Sequence, residues 1–283
     1  MTLRFGYGTN GFGSHRLEDA LTVIAGLGYD GVALTLDHPH LDPFDARLAA
    51  RTAKVGRQLD EFGLALVIET GARYVLDPWR KHEPTLVSAG DRSPRVELLR
   101  RAVQVAADLG AEAVSFWSGT LPAGTDTDTG WQRLTAGVAQ VLAAAEPLGV
   151  TCAFEPEPGM FVDTLDAALE LRRRLGSRSL KITLDLGHCV AVEAESTDQV
   201  VRRAGELLGN VQIDDMRRGI HEHLEFGAGE LDLPAALGAL LDIGYEGLVS
   251  VELPRHGHAA PVVAERSLAA LRSALHQAAE AAR

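Results

Sequence analysis

Eight short apolar runs recur along the chain, and longer amphipathic segments separate them. The runs occupy residues 3–8, 31–36, 64–70, 113–119, 150–155, 181–187, 210–215 and 248–254. Each is apolar at successive positions, which is typical of parallel strands that helices cover on both faces. We therefore predict eight buried parallel strands.

The segments between the runs carry apolar residues at spacings of three and four, which predicts amphipathic helices. They cover residues 17–28, 47–63, 96–110, 130–149, 163–176, 196–209, 231–244 and 261–282. Many end in glycine, which commonly follows the last helical turn, and Asp163-Thr164 and Ser196-Thr197 are candidate N-caps. Eight strand–helix units in this order predict an α/β fold, a (β/α)8 TIM barrel, with residues 1–283 as a single domain. A doubly wound open sheet is the alternative.

Composition narrows the classes of partner and compartment. The chain has 39 acidic and 27 basic residues and a formal charge of −12, so we expect neither nucleic acid nor a membrane as a partner. Two cysteines, Cys152 and Cys189, imply no disulfide framework. No signal-peptide pattern opens the chain, and no uncharged apolar run reaches the roughly 18 residues of a membrane span. These features favour a cytoplasmic protein.

Oxygen-bearing side chains stand at the ends of the last four predicted strands. Glu155, Asp185 and Glu252 end the apolar part of their runs, and Gln212 lies within the seventh run. Because the carboxyl ends of barrel strands share one face, the four side chains should lie together, and burying three carboxylates without a counter-charge is very unfavourable. We therefore predict one divalent ion held by these four residues, and an all-oxygen set favours Mn²⁺ or Mg²⁺ over Zn²⁺. A satisfied core amide is the alternative for Gln212.

Motifs in the second half of the chain resemble those of one barrel family. They are AFEPEPG (153–159), TLDLGH (183–188), VQIDDM (211–216) followed by HEHLEFGAGELD (221–232), and SVELPRHGH (250–258). They resemble xylose-isomerase-like TIM barrels, and are most similar to the sugar phosphate isomerase/epimerase group, which includes ketose 3-epimerases and inosose dehydratases. The resemblance follows the strand order of the whole chain, although the first half matches in architecture alone. It implies the same four metal ligands, except that the family usually has histidine where this chain has Gln212.

The resemblance also implies substrate contacts near the metal. His188 follows Asp185 at the family's Asp-x-x-His spacing and resembles a histidine that binds a substrate oxygen; capping the next helix is its alternative role. Arg217 and Arg218 follow the seventh strand, where similar proteins place an arginine that contacts substrate hydroxyls. One of the two could instead be a solvated surface charge.

Two segments beyond the strand ends carry further ionisable side chains. His221 and His223 lie in HEHLEFGAGELD, which we interpret as a loop, and either could supply the imidazole that Gln212 lacks. Substrate contact or loop structure is the alternative for both. We expect Glu157, close to Glu155, to point the other way if the fifth strand continues.

The first half of the chain adds three candidate substrate contacts. His38 follows the second strand, Glu69 ends the third and Trp117 ends the fourth. Stabilising a turn is the alternative role for His38, and Trp117 could instead be an aromatic side chain at the barrel mouth that binds no ligand. The long loops 73–95 and 119–130 also lie at the carboxyl ends of strands, and aromatic and cationic side chains in the first suit a polyol, a sugar or a phosphate.

The residues and the resemblance together predict a metal-dependent isomerase or epimerase of sugars or cyclitols. The substrate carbonyl and its adjacent hydroxyl would chelate the metal, which would stabilise an enediolate. Glu155 and Glu252 would remove and return the proton on opposite faces of the substrate, and the acid would be His188 or a metal-bound water. Alternatives are an inosose-type dehydratase on the same site, a non-catalytic barrel, and a metal-dependent phosphodiesterase or endonuclease. The family resemblance makes a homo-oligomer an expectation.

Overall fold

A computed structural model describes residues 2–71 and 73–281, and eight parallel strands in it close into a barrel. The described residues form ten strands in all, which are β1 (Arg4–Gly8), β2 (Gly31–Thr35), β3 (Ala65–Glu69), β4 (Val114–Phe116), β5 (Cys152–Phe154), β6 (Leu180–Asp185), β7 (Leu208–Ile213), β8 (Asp215–Arg217), β9 (Ile220–Leu224) and β10 (Leu248–Val251). The ring runs β1-β10-β7-β6-β5-β4-β3-β2, while β8 and β9 form a separate antiparallel pair. Each predicted apolar run overlaps one barrel strand, so the (β/α)8 prediction is confirmed and the open sheet is wrong.

Helices connect the barrel strands, as the amphipathic segments predict. They are α1 (Leu17–Leu27), α2 (Leu48–Phe62), α3 (Ser93–Leu109), α4 (Thr127–Ala145), α5 (Leu165–Leu175), α6 (Leu186–Val192), α7 (Thr197–Ala204), α8 (Leu233–Asp242) and α9 (Ala260–Ala281). The Thr164 hydroxyl caps α5 by accepting the Ala167 amide at 3.3 Å, as predicted. The predicted end of the last helix, Ala282, lies outside the described residues. In the described part of the chain, no helix has both the length and the apolar character needed to cross a bilayer.

Two elements differ from the sequence interpretation, and both lie beside the barrel mouth. Helix α6 follows β6 directly, and residues 220–224 form strand β9 rather than part of a loop. The buried Asp215 carboxylate organises the chain after β9, because it accepts the amides of Gly227, Gly229 and Leu231 at 2.8, 3.0 and 2.9 Å. Such local bonds replace backbone pairing where the chain cannot continue a strand.

The barrel interior changes from apolar to polar toward the carboxyl ends of the strands. Near the amino ends Leu248 fills the axis, and a Cβ on Gly6 would approach its side chain to 2.6 Å, so a larger residue there would require Leu248 to shift. One layer higher, the Thr183 hydroxyl donates to Ser115 at 2.9 Å and the Asn210 amide donates to Glu69 at 3.2 Å. This hydrogen-bonded layer is the floor on which the strand-end side chains stand.

Candidate active site

A cavity of about 340 Å³ opens at the carboxyl ends of the barrel strands. That volume suits a small organic ligand. The lining includes three of the four predicted metal ligands, which are Glu155, Gln212 and Glu252. It also includes the predicted substrate contacts Glu69, Trp117, His188 and His223. The barrel therefore brings most of the sequence-predicted site residues to one place.

Asp185 is held by its own helix cap, with one oxygen directed away from it. As the last residue of β6 and the N-cap of α6, it accepts the amides of Gly187 and His188 on Oδ1 at 2.7 and 3.0 Å. Its other oxygen, Oδ2, is buried and has no hydrogen-bond partner among the described residues. The cap fixes the carboxylate and leaves Oδ2 available as a ligand.

Gln212 lies between two carboxylates because of the strand register. It pairs with Asp185 across β6 and β7, and with Ser250 across β7 and β10. Its amide nitrogen donates to Glu252 Oε2, while its buried Oε1 has no partner in the described part of the chain. Asn10 donates to the other Glu252 oxygen at 2.8 Å.

Glu155 follows β5 and is the less restrained of the two predicted catalytic carboxylates. Its Oε2 accepts a long hydrogen bond of 3.3 Å from Ser115, and its Oε1 lies 3.7 Å from His188 Nδ1. The His188 Nδ1 also lies 3.3 Å from the Pro156 carbonyl, which suits the tautomer protonated at Nδ1. The buried His188 Nε2 then faces the site as an acceptor, and it has no partner among residues 2–71 and 73–281.

The carboxylates repel one another in a poorly solvated site. Burial, with Asp185 adding, raises the pKa of Glu157 and of Glu252 to about 7. Burial also raises the pKa of Glu69 and of Glu155 well above the usual range, with neighbouring glutamates adding to it. A bound cation would relieve this repulsion.

The metal-free protein should therefore lose stability as pH rises. The folded-state pKa values of Glu157 and Glu252 exceed the unfolded value of about 4.3, so the folded state binds more protons between about pH 4.5 and 7. We expect chelator-treated protein to melt at a higher temperature at pH 5.5 than at pH 8 in circular dichroism. A melting temperature that rises over this range would contradict the described electrostatics.

Three imidazoles form one wall of the cavity, on α6 and β9. Ring centroids lie 4.9 Å apart for His188 and His221, 5.8 Å for His188 and His223, and 5.2 Å for His221 and His223. Burial, with His188 adding, lowers the pKa of His221 to about 3, and burial lowers the pKa of His188. His188 and His221 are therefore neutral at pH 7 and can act as ligands or acceptors.

Three predicted substrate contacts lie elsewhere. Arg217 donates to the Ala228 carbonyl at 3.0 Å and Arg218 donates to the Glu193 carbonyl, so each guanidinium anchors neighbouring backbone. His38 is exposed and lies 3.0 Å from Asp42, in agreement with the turn-stabilising alternative. None of the three is among the residues that line the cavity, so the structure gives no support to substrate contact by them.

Several lining residues were missed by the sequence reasoning. Glu157 faces the cavity, although we expected it to point away from Glu155. Alternation along a strand places residues two apart on the same face, so the expectation was wrong. Its carboxylate lies 4.0 Å from His221 Nε2. Asn10 follows β1, and this position after a strand end was the available signal for it.

Three sets of described side chains could hold a divalent ion, and one of them is the imidazole wall of His188, His221 and His223. Ligand atoms of Glu155, Asp185 and His188 lie within 4.8 Å of one another, and so do those of Asp185, His223 and Glu252. The unpartnered Asp185 Oδ2 and Gln212 Oε1 add two buried oxygens beside them. Buried polar atoms normally have partners, so this donor set fits a divalent cation.

A closed parallel barrel with acidic and imidazole side chains at the carboxyl ends of its strands is the layout of a (β/α)8-barrel enzyme. The chain belongs to the xylose isomerase-like TIM barrel family, whose profile matches residues 21–274. The family resemblance of the sequence motifs is thereby confirmed.

Known relatives are sugar isomerases and epimerases, the class that we expected. The chain is 25% identical over 256 residues to 2-oxo-tetronate isomerase of Cupriavidus necator, covering 88% of this chain and 92% of that protein. A solved structure of an L-ribulose 3-epimerase matches with a TM-score of 0.80 at 21% identity, covering 99% and 97% of the two chains. The solved IOLI protein with a bound zinc atom matches with a TM-score of 0.73 at 18% identity, covering 96% and 98%.

Proposed function

We propose that this protein is a divalent-metal-dependent isomerase or epimerase of sugars or sugar-like ketones. The observation that carries the proposal is the placement of Glu155 and Glu252 in one cavity, beside the unpartnered oxygens of Asp185 and Gln212. The relatives named as sugar isomerases and epimerases support the same reaction class.

The proposed metal ligands are Glu155, Asp185, Gln212 and Glu252. Gln212 would bind through Oε1, which requires no rearrangement of the seventh barrel strand because that atom is already free in the described structure. A divalent ion held there would polarise the substrate carbonyl and lower the pKa of the adjacent C–H. We propose Mn²⁺ or Mg²⁺ from the oxygen-rich donor set, and the zinc in the IOLI structure makes Zn²⁺ the comparison ion.

Glu155 and Glu252 are positioned for proton transfer from different sides of the cavity. Strands β6 and β7 lie between the strands that they follow, so their carboxylates approach a central ligand from separated directions. Glu155, with few hydrogen bonds, would remove the proton, and Glu252 would return one from the other side. The neutral His188 would accept a substrate hydroxyl at Nε2 and orient the reacting carbon.

The fate of the proton decides the product. Return to the opposite face of the same carbon inverts it, and return to the neighbouring carbon moves the carbonyl. Loss of a β-hydroxyl instead gives the dehydratase reaction, which remains the second candidate because it would use the same carboxylates.

A substrate panel in heavy water tests the proposal. Mn²⁺-loaded protein would be incubated with L-ribulose, D-tagatose, an inosose and 2-oxo-tetronate, and products and deuterium at the carbon beside the carbonyl would be followed by NMR. We expect metal-dependent deuterium incorporation with an epimeric or isomeric product. A dehydrated product would favour the dehydratase, and absence of exchange with every compound at full metal occupancy would contradict the proposal.

Cationic side chains at the cavity mouth favour an anionic substrate. Arg73, Lys81 and Arg255 line the cavity. Arg255 pairs with Glu222 at 3.1 Å, but within residues 2–71 and 73–281 the Arg73 and Lys81 side chains have no hydrogen bond or ion pair. A phosphate or carboxylate directed toward the mouth would pair with them and would stay away from the buried glutamates.

Replacement of Lys81 tests this preference. We expect Lys81→Met to lower kcat/KM for L-ribulose 5-phosphate or 2-oxo-tetronate about tenfold or more, since a charge-assisted hydrogen bond contributes about 1.5–3 kcal/mol. Neutral L-ribulose should respond little. Lys54→Met is the matched control, because Lys54 pairs with Glu18 on the helical surface. Equal effects on neutral and anionic substrates would contradict the preference.

A cytoplasmic location and assembly as a homo-oligomer stay predictions. Gel filtration with light scattering would measure the assembly directly.

A further inference from the structure

His223 lies beside the proposed metal ligands, although it comes from the hairpin outside the barrel. A ring nitrogen of His223 and carboxylate oxygens of Asp185 and Glu252 lie within 4.8 Å of one another. Strand β9 packs against α6, the helix that Asp185 begins, and this contact brings the imidazole into the cavity. His223 therefore reaches the site through the packing of β9 against α6, and not from the end of a barrel strand.

The orientation of His223 is set by a buried carboxylate. Its Nδ1 is hydrogen-bonded to Asp214 Oδ2, and the Asp214 side chain is fully buried. In the tautomer that is protonated at Nδ1, His223 donates this hydrogen bond and the Nε2 lone pair is free. Histidines that bind metals commonly have this partner on the second nitrogen, because it fixes the tautomer and makes the ligand more basic.

The local chain is shaped around the Asp214 carboxylate. Gly187, in the first turn of α6, lies so close that a Cβ there would approach Asp214 Oδ1 to 1.8 Å. Any other residue would displace either the helix turn or the carboxylate. Asp214 is therefore held in a fixed place between the seventh barrel strand and α6, and it holds His223 in turn.

We propose that His223 is a ligand of the divalent ion through Nε2, and that Asp214 is its positioning residue. This inference rests on the proposed metal-dependent function and deepens it. An imidazole beside carboxylates and an amide oxygen shifts the preference of the site from Mg²⁺ toward Mn²⁺, Co²⁺ or Zn²⁺. The ion would then have one nitrogen ligand from β9 in addition to the oxygen ligands at the barrel strand ends.

The same imidazole also belongs to a second possible metal site, formed by three histidines. His188, His221 and His223 also place ring nitrogens within 4.8 Å of one another. With Nδ1 engaged by Asp214, however, the single remaining lone pair of His223 serves one ion. The negatively charged Asp185 and Glu252 attract a dication more strongly than two neutral imidazoles do, so the carboxylate position is favoured.

Pulsed electron paramagnetic resonance of bound Mn²⁺ tests the assignment. Protein grown with ¹⁵N-histidine and with ordinary histidine would be loaded with Mn²⁺, and nitrogen modulation of the electron spin echo would be recorded beside the Mn²⁺ dissociation constant. The variants are His223→Gln, Asp214→Asn, His188→Gln and, as the matched control on the same strand, His221→Gln. Circular dichroism melts would show which variants are folded.

We expect one directly bound histidine nitrogen in the parent protein, unchanged in His221→Gln and lost in His223→Gln. Asp214→Asn should weaken Mn²⁺ binding about 10–100-fold, the usual effect of removing such a partner. Retention of the nitrogen signal in a folded His223→Gln protein, or its loss in His188→Gln alone, would overturn the inference. Mn²⁺ bound without histidine nitrogen would overturn it while leaving the proposed function intact. A parent protein that binds no ion would overturn both.

Discussion

Replacement of Glu155 by glutamine is expected to lower kcat/KM about a thousandfold or more, which corresponds to about 4 kcal/mol of transition-state stabilisation. The carboxylate is proposed both to bind the ion and to remove the substrate proton. General-base catalysis alone contributes about 10²–10⁴-fold. Steady-state assays with the best substrate of the heavy-water panel would measure the loss.

The fold of the variant should survive, since glutamine matches the shape of glutamate. In the absence of metal we expect Glu155→Gln to melt at a higher temperature than the parent, because it removes one of the mutually repelling carboxylates. Glu265→Gln is the matched control, since Glu265 is exposed on α9. Activity within tenfold of the parent in a folded Glu155→Gln protein would rule out its role as the base.

Removal of divalent ions is expected to abolish turnover and to lower the melting temperature. An ion present at a hundred times its dissociation constant stabilises the folded state by about 2.7 kcal/mol. For a chain of this size, about 2–4 °C follows from each kcal/mol, so we expect a difference of about 5–10 °C between Mn²⁺-loaded and chelator-treated protein. Melting curves and activity assays on the same samples would measure both effects.

The control for metal removal is a variant that lacks a ligand of the proposed metal site. Asp185→Asn should melt at a temperature that is nearly independent of Mn²⁺, since the buried, unpartnered Oδ2 of Asp185 is one of the proposed ligand atoms. Full activity after exhaustive chelation, or equal Mn²⁺ stabilisation of the parent and Asp185→Asn, would contradict a catalytic ion at this position.

The barrel could be predicted from sequence because each of its strands has a recognisable pattern within a few consecutive residues. A strand covered on both faces has to be apolar at successive positions, and the eight runs satisfy this independently of their neighbours. The carboxylates could be predicted for the same reason, since Glu155, Asp185 and Glu252 immediately follow such runs. Closure of the barrel then brings these carboxylates together at one end of the strands.

The wall and mouth of the cavity could not be predicted in this way. The position of His223 depends on the hairpin of β8 and β9, and the chain after that hairpin depends on hydrogen bonds to Asp215. Lys81 belongs to the loop after β3, which the buried Arg95 holds by donating to the His82 and Pro84 carbonyls at 2.5 and 2.9 Å. These contacts join residues that are separated in the sequence, and no periodic pattern of apolar residues predicts them.

Glu157 shows how a local rule can be misapplied near the end of a strand. Alternation along a strand places side chains two residues apart on the same face, and side chains one residue apart on opposite faces. The chain leaves β5 after Phe154, and the Glu157 amide instead donates to the Val162 carbonyl at 3.1 Å. By that rule Glu155 and Glu157 belong on the same face, so the expectation that Glu157 points away was wrong because it misapplied the rule.

Metal content is the most direct test of the central claim, that the strand-end carboxylates hold one catalytic ion. Untagged parent protein and a Glu155→Gln/Asp185→Asn double variant would be incubated with Mn²⁺ and freed of excess ion. Their manganese content per chain would then be measured by elemental mass spectrometry. We predict about one ion per chain in the parent and none in the folded double variant, as expected when two ligands of one site are lost. No ion in a well-folded parent, or equal amounts in both proteins, would contradict the claim.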